Sequence, residues 1–248
     1  VFEFVHEILF NARGLEVPEE IVRIHRELRE DDSLIPEDRL WSKAGPDPSR
    51  ADCQGAGSRV DRSEERTVRS FVRGSSVTPR YGALLYRIAA WFRPEMILEL
   101  GTGVGISTLY LGSGAPRVPL HSMEGNTEKA AIAASLACRC GLEQVSIHWG
   151  PIDRKLEEFL PQLRGRFLAF IDANHRYEPV VRYMRMILSR AGEDGVIVLD
   201  DIYWSKGMEK AWKEVISWPQ VKVSVDLFRM GILFLREDLQ KTHLKINF

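Results

Sequence analysis

The stretch Met96-Ile97-Leu98-Glu99-Leu100-Gly101-Thr102-Gly103-Val104-Gly105-Ile106-Ser107-Thr108 decides the fold. A short apolar run reads as a buried strand, it passes straight into alternating glycines, and a helix is expected from about Ile106. Glycine permits the sharp turn and lets backbone approach a ligand without a Cβ in the way. The new helix offers unpaired N–H groups that suit an anionic group such as a carboxylate. A dinucleotide fingerprint has the spacing G-x-G-x-x-G, but position 106 is Ile and the third glycine arrives one residue early. The pattern here is E-x-G-x-G-x-G.

On the carboxyl side, strands and helices alternate. Leu120 to Met123, Val145 to Trp149, Phe167 to Ile171 and Gly195 to Leu199 read as strands. Thr127 to Cys140, Lys155 to Leu163 and Pro179 to Ser189 read as the helices between them. Such β-α-β units imply a parallel sheet covered by helices on both faces. Val221 to Leu227 then alternates with period two, and after a turn near Arg229 to Gly231 comes Ile232 to Leu235, a closing antiparallel hairpin. On the amino side, Thr78-Pro79 opens a helix over Tyr81 to Phe92. Residues 1–40 read as two helices, the second opened by Pro18-Glu19-Glu20. Residues 42–66, rich in Gly, Pro, Ser and charge, read as a loop, either a flap over a site or an ordinary linker. The expected division is an N-terminal helical arm with a flexible segment over 1–75, and the catalytic domain over 76–248.

With 44% hydrophobic and 28% charged residues the composition is that of a globular domain. A net charge of -1 provides no basic field to gather phosphate backbones, so nucleic acid is not the expected partner. No apolar run approaches the length of a membrane span. Cys53, Cys138 and Cys140 lack metal-finger spacing and fit free thiols in a reducing cytoplasm, with Cys138 and Cys140 read as small buried hydrophobes. The start at Val1 rather than Met leads us to expect a few native residues before it.

The second strand ends in Met123-Glu124-Gly125, where an acid can accept both ribose hydroxyl protons of an adenosine. The fourth and fifth strands end in Asp172-Ala173-Asn174-His175 and in Asp200-Asp201. Ligands of open α/β sheets bind beyond these strand ends. Three converging carboxylates repel one another unless a cation sits between them, and hard oxygen ligands suit Mg²⁺. His175, with an ordinary pKa near 6.5, can take a proton from a hydroxyl. Tyr203, Trp204 and Lys206 could line a substrate pocket. Trp204 and Trp212, eight residues apart in an expected helix, could instead be core packing, the reading preferred for Trp212.

The glycine turn preceded by Glu99 resembles the first motif of class I S-adenosylmethionine-dependent methyltransferases. From about Val77 to Arg236 the chain is similar to the catechol and caffeoyl-CoA O-methyltransferases and to related bacterial small-molecule O-methyltransferases. The resemblance implies a Rossmann-like fold with a mostly parallel seven-stranded sheet and a C-terminal antiparallel hairpin. It implies S-adenosylmethionine held by Glu99, Gly101, Thr102, Gly103, Gly105, Ser107, Glu124, Gly125, Gly150 and Asp172. It also implies a divalent metal, magnesium, on Asp172, Asp200 and Asp201. Where the catechol enzymes place a lysine base, this chain has His175, expected to act with Asp172 in catalysis. The acceptor is expected to be a small hydroxylated molecule, with a metal-independent methyltransferase and a nicotinamide-dependent oxidoreductase as alternatives. Association as a homodimer is left open.

Overall fold

A computed structural model describes residues 2–11, 14–35, 66–190, 192 and 194–248. The stretch expected to form a loop over 42–66 lies outside the described residues as far as residue 65, and Cys53 lies outside with it.

Near the amino terminus a helical turn at Phe2–Phe4 continues as a π-helix over Val5–Asn11. α1 (Glu19–Leu28) follows Pro18 and carries Glu19 and Glu20 in its first turn, where acids complement the helix dipole. β1 (Leu34–Ile35) pairs antiparallel with β2 (Arg66–Thr67). α2 (Val68–Ser75) is capped by the Thr67 hydroxyl, which accepts from the Ser70 N–H at 3.1 Å. α3 (Pro79–Phe92) has proline in its first turn, as expected from Thr78-Pro79, and ends at Arg93 in the left-handed region.

The alternating pattern then unfolds as β3 (Met96–Leu100), α4 (Ile106–Gly114), β4 (Leu120–Glu124), α5 (Thr127–Arg139) and β5 (Val145–Trp149). It continues with α6 (Ile152–Phe159), β6 (Phe167–Ile171), α7 (Tyr177–Leu188), β7 (Gly195–Leu199) and α8 (Lys206–Ser217). β8 (Val223–Asp226), β9 (Gly231–Phe234) and β10 (Thr242–Lys245) close the chain. The sheet order is β10-β8-β9-β7-β6-β3-β4-β5. β3 to β7 are mutually parallel, and β9 runs antiparallel to both β7 and β8.

This is the expected Rossmann-like architecture with one correction: the sheet has eight strands rather than seven. β10 adds in parallel to β8 at the far edge. Its sequence, Thr-His-Leu-Lys, has one apolar residue and so shows no alternation. It is held instead by ladder bonds and by polar contacts such as Ser224 Oγ to His243 Nδ1 at 2.8 Å.

Period-two alternation in the strands sorts the core into two layers. Ile97, Leu168, Phe170, Val196 and Val198 face one cluster, which includes Leu84, Leu85 and Ile88 of α3 and Leu109 and Tyr110 of α4. Leu98, Leu100, Phe167, Ala169, Ile171, Ile197 and Leu199 face the other, with Leu156, Val180, Met184 and Trp212. Each sheet face therefore buries a helical stripe. Phe4, Ile8, Ile21, Ile24 and Phe71 belong to the first layer, so the segments before residue 76 share that core.

Two side-chain expectations need correction. Cys138 is exposed and Cys140 only partly buried, because the buried face of α5 falls on Ala130, Ala133, Leu136 and Ala137. Trp212 is core, as expected, but Trp204 precedes α8 and is only partly buried.

Candidate functional site

Strand register brings the site together. Leu100 is level with Met123 on one side and with Ile171 on the other, and Ile171 is level with Leu199. The residues that follow those positions, Gly101, Glu124, Asp172 and Asp200, therefore leave the sheet at one height. The hairpin turn between β8 and β9 emerges at the same end, since Asp226 and Leu199 both pair with Gly231.

The glycine turn is built as expected. Gly101, Gly103 and Gly105 have φ of 95°, 54° and 95°, in the left-handed region. A Cβ on Gly101 would lie 2.1 Å from the Asp172 carbonyl oxygen, and one on Gly105 would lie 2.9 Å from Ala133 Cβ. Glu99 is fully buried, and its Oε2 accepts from the Thr108 and Ser122 hydroxyls, each at 2.6 Å. Thr102 Oγ1 meets Ser122 Oγ at 2.5 Å, and Ser107 lies buried in the first turn of α4. Burial raises the Glu99 pKa against the pull of the surrounding hydroxyls. Its Oε1 is enclosed as well, and the Ser107 side chain adds to the hydroxyls that favour its charge.

Glu124 reaches back to the same turn. Its Oε2 accepts from the Gly103 N–H at 2.8 Å and its Oε1 from the Asn126 N–H at 2.9 Å. Burial raises its pKa, opposed by Lys129 and by backbone N–H groups including that of Gly125. Gly150 donates to the Glu124 carbonyl at 2.9 Å, so the third strand end closes on the second. The open backbone at the glycines and the Glu124 carboxylate fit the amino-acid and ribose ends of S-adenosylmethionine.

Beyond β6, His175 Nε2 stands 3.2 Å from Asp172 Oδ1, both side chains largely buried. Burial raises the Asp172 pKa, and the charges of Asp200 and Asp201 add to it against His175, lifting it to about 7. Burial alone would lower His175, but Asp172 foremost, with Asp201 and Asp200, outweighs it and lifts the imidazole to about 9. Asn174 and His175 have φ of 66° and 36°, and Asp201 has 53°. Three non-glycine residues thus take left-handed backbone at adjoining strand ends. Asn174 Nδ2 donates to Tyr183 Oη at 2.6 Å, which anchors the loop on α7.

The expected metal ligands are also brought close, but in another arrangement. Asp200 is fully buried, with Arg229 Nε 3.2 Å from its Oδ1 and Arg229 Nη2 3.2 Å from its Oδ2. Arg229 Nε is also 3.5 Å from Asp201 Oδ1. With Asp172 turned to His175, no group of three or more His, Cys, Asp or Glu side chains among the described residues converges to hold a metal ion. The carboxylates as placed do not fit a shared divalent ion. Arg229 went unnoticed in the sequence because it has no local motif; only the hairpin register carries it to Asp200. Of the candidate pocket residues, Tyr203 donates to Asp226 at 2.5 Å and is exposed.

Residues 98–202 match a family model described as a methyltransferase domain. The chain is 34% identical over 134 residues to a catechol O-methyltransferase of Niastella koreensis, covering 51% of this chain and 58% of that protein. It is 30% identical over 137 residues to a catechol O-methyltransferase of Mycobacterium tuberculosis, covering 54% and 60%. The chain thus spans less than two thirds of these curated relatives. An O-methyltransferase from Bacillus cereus, solved in complex with SAH, superimposes with a TM-score of 0.58 at 17% identity, over 94% of this chain and 96% of that one. No helix among the described residues is long and apolar enough to cross a membrane. The matched stretch, the strand order and the glycine turn agree with the resemblance to the class I S-adenosylmethionine-dependent methyltransferases.

Proposed function

We propose that the protein moves a methyl group from S-adenosylmethionine to a hydroxyl oxygen of a small molecule. One observation carries this reading. The missing Cβ of Gly101 leaves the glycine turn packed directly on the backbone of Asp172, so the cofactor turn abuts the imidazole–carboxylate pair.

When bound, S-adenosylmethionine supplies a sulfonium methyl carbon that the acceptor oxygen attacks, the S–C electron pair returning to sulfur. Glu124 holds the ribose hydroxyls, and Glu99 orders the glycine turn from beneath through the Thr108 and Ser122 hydroxyls. His175 receives the hydroxyl proton, held in orientation by Asp172. It must be neutral to do so, although its neighbours favour the protonated form. A positive charge brought to the adjoining turn opposes that preference and helps release the proton to solvent. Positioning accounts for much of the acceleration in such a displacement. Of the carboxylates that the resemblance assigns to magnesium, Asp200 and Asp201 are engaged by Arg229 and Asp172 by His175, so this chemistry rests on the imidazole–carboxylate pair. Free thiols at Cys138 and Cys140 suit a cytoplasmic setting.

Calorimetric titration with S-adenosylmethionine and with its demethylated product tests the reading, with NADH as control. We expect saturable binding of both, weakened roughly tenfold to a hundredfold in Glu124→Ala, the loss of one to two charge-assisted hydrogen bonds. Heat from NADH alone would return the glycine turn to the dehydrogenases.

A further inference from the structure

We propose that Arg229 fills the seat between the strand-end carboxylates that a divalent ion would otherwise take, making the guanidinium a built-in cation of the site. The proposal rests on the methyl-transfer reading and deepens it. Asp172, Asp200 and Asp201 bring three negative charges to the ends of β6 and β7, and the pair of Asp172 with His175 answers one of them. Arg229 answers the others from a fork that spans both Asp200 oxygens and reaches Asp201. Asp200 has little left to offer a metal, because its Oδ1 also accepts from the Asp201 N–H at 2.9 Å.

The arginine is held there by its own backbone as well as by charge. Its carbonyl accepts from the Ile202 N–H at 3.0 Å, tying the hairpin turn to the loop after Asp200–Asp201. Tyr81 donates to the Leu227 carbonyl at 3.0 Å, and the guanidinium lies 5.6 Å from the Tyr81 ring centroid. A guanidinium keeps its charge at every working pH and matches a carboxylate with two parallel N–H groups. A Mg²⁺ ion demands near-ideal octahedral oxygen geometry at about 2.0–2.1 Å. To enter, it would have to part a bidentate pair with a fully buried carboxylate, leaving the guanidinium beside the ion's own charge. Arg229 does not touch the transferred methyl group in this scheme. It is a positioning residue that sets the charge and geometry of Asp200, Asp201 and the neighbouring pair.

The test reads metal binding directly. Mn²⁺ is titrated into the full chain, and the free-ion electron paramagnetic resonance signal reports what is bound. The same samples are titrated with S-adenosylhomocysteine by calorimetry. We expect wild-type protein to show no saturable Mn²⁺ uptake in the range of about 1 μM–1 mM over which affinities of ordinary sites are read. Arg229→Met should gain a site about tenfold or more tighter than any wild-type uptake, lost again when Asp200→Asn is added, since three carboxylates then lack their cation. Wild-type uptake in that range, abolished by Asp200→Asn alone, would overturn the proposal whether or not the Arg229 variant folds. S-adenosylhomocysteine binding separates the two readings. If it persists while wild type takes up Mn²⁺, only the arginine's role fails; if it is absent from wild type, the methyltransferase reading fails.

Discussion

Replacing Gly101 with alanine would set a methyl carbon 2.1 Å from the carbonyl oxygen of Asp172, where ordinary contact begins at 3.4 Å. The atom it meets is backbone at the end of β6, so the shortfall of about 1.3 Å cannot be met by rotating a side chain. Alanine at φ 95° costs about 1–2 kcal/mol for the left-handed backbone alone. Forcing packed elements apart adds about 1–3 kcal/mol. The sum, roughly 2–5 kcal/mol, corresponds to a fall in Tm of about 4–20 °C for a chain of this size. Gly141 supplies the internal control. It too has positive φ, at 64°, but a Cβ there has no atom within 4 Å. Gly141→Ala should therefore cost only the backbone contribution, about 1–2 kcal/mol. Thermal unfolding of both variants, with S-adenosylhomocysteine calorimetry at a temperature where both are folded, measures the difference. Gly101→Ala should be the less stable and should also lose cofactor affinity, because the turn and the Asp172 loop move together. Equal Tm values for the two variants, with intact affinity in Gly101→Ala, would refute the argument from steric contact.

Protonated His175 cannot accept a proton, and its pKa is raised to about 9, so kcat/KM should climb as pH rises toward that value. His175→Gln should flatten this limb and lower kcat by about a hundredfold to ten-thousandfold, and a limb unchanged in the variant would show that another group titrates. His25 is buried against Tyr110, with Nδ1 2.9 Å from the hydroxyl oxygen, and burial followed by the charge of Arg29 lowers its pKa to about 4. Between pH 6.5 and about 4 the unfolded chain therefore binds the extra proton, and stability falls with acidification across that window by up to about 3 kcal/mol. Urea midpoints at pH 7 and pH 4.5 check this: His25→Phe should lose much of the difference, and an undiminished difference would exclude His25 as its source.

The sheet was legible because short apolar or β-favouring runs alternate with helical stretches along the chain. Val145–Trp149, Phe167–Ile171 and Gly195–Leu199 are strands at the residues their composition marks, each ending at a polar or glycine-bearing loop. Glu99, Glu124, Asp172 and Asp200 were readable for the same reason, since a residue just past or at the end of a parallel strand has only one place to be. Local pattern did not show how the charges would be balanced. Arg229 and Asp200 are neighbours only through antiparallel pairing of β9 with β7, a long-range fact with no local trace. β10 was missed because a polar edge strand needs no apolar face. Cys138 was misplaced because a helix rich in alanine carries a weak periodic signal, leaving its buried face ambiguous.

Because the counter-charge for Asp200 comes from a hairpin that is later in the chain, order of synthesis matters to this fold. A ribosome-bound chain extended through β7 exposes the pairing edge that β9 will occupy and holds a buried-to-be carboxylate with no partner. Docking the hairpin completes the sheet and neutralises the acid in one event. Late sheet closure and charge neutralisation are thus a single cooperative step, and the nascent protein remains both unzipped at that edge and unready for its ligand until β8 and β9 have emerged.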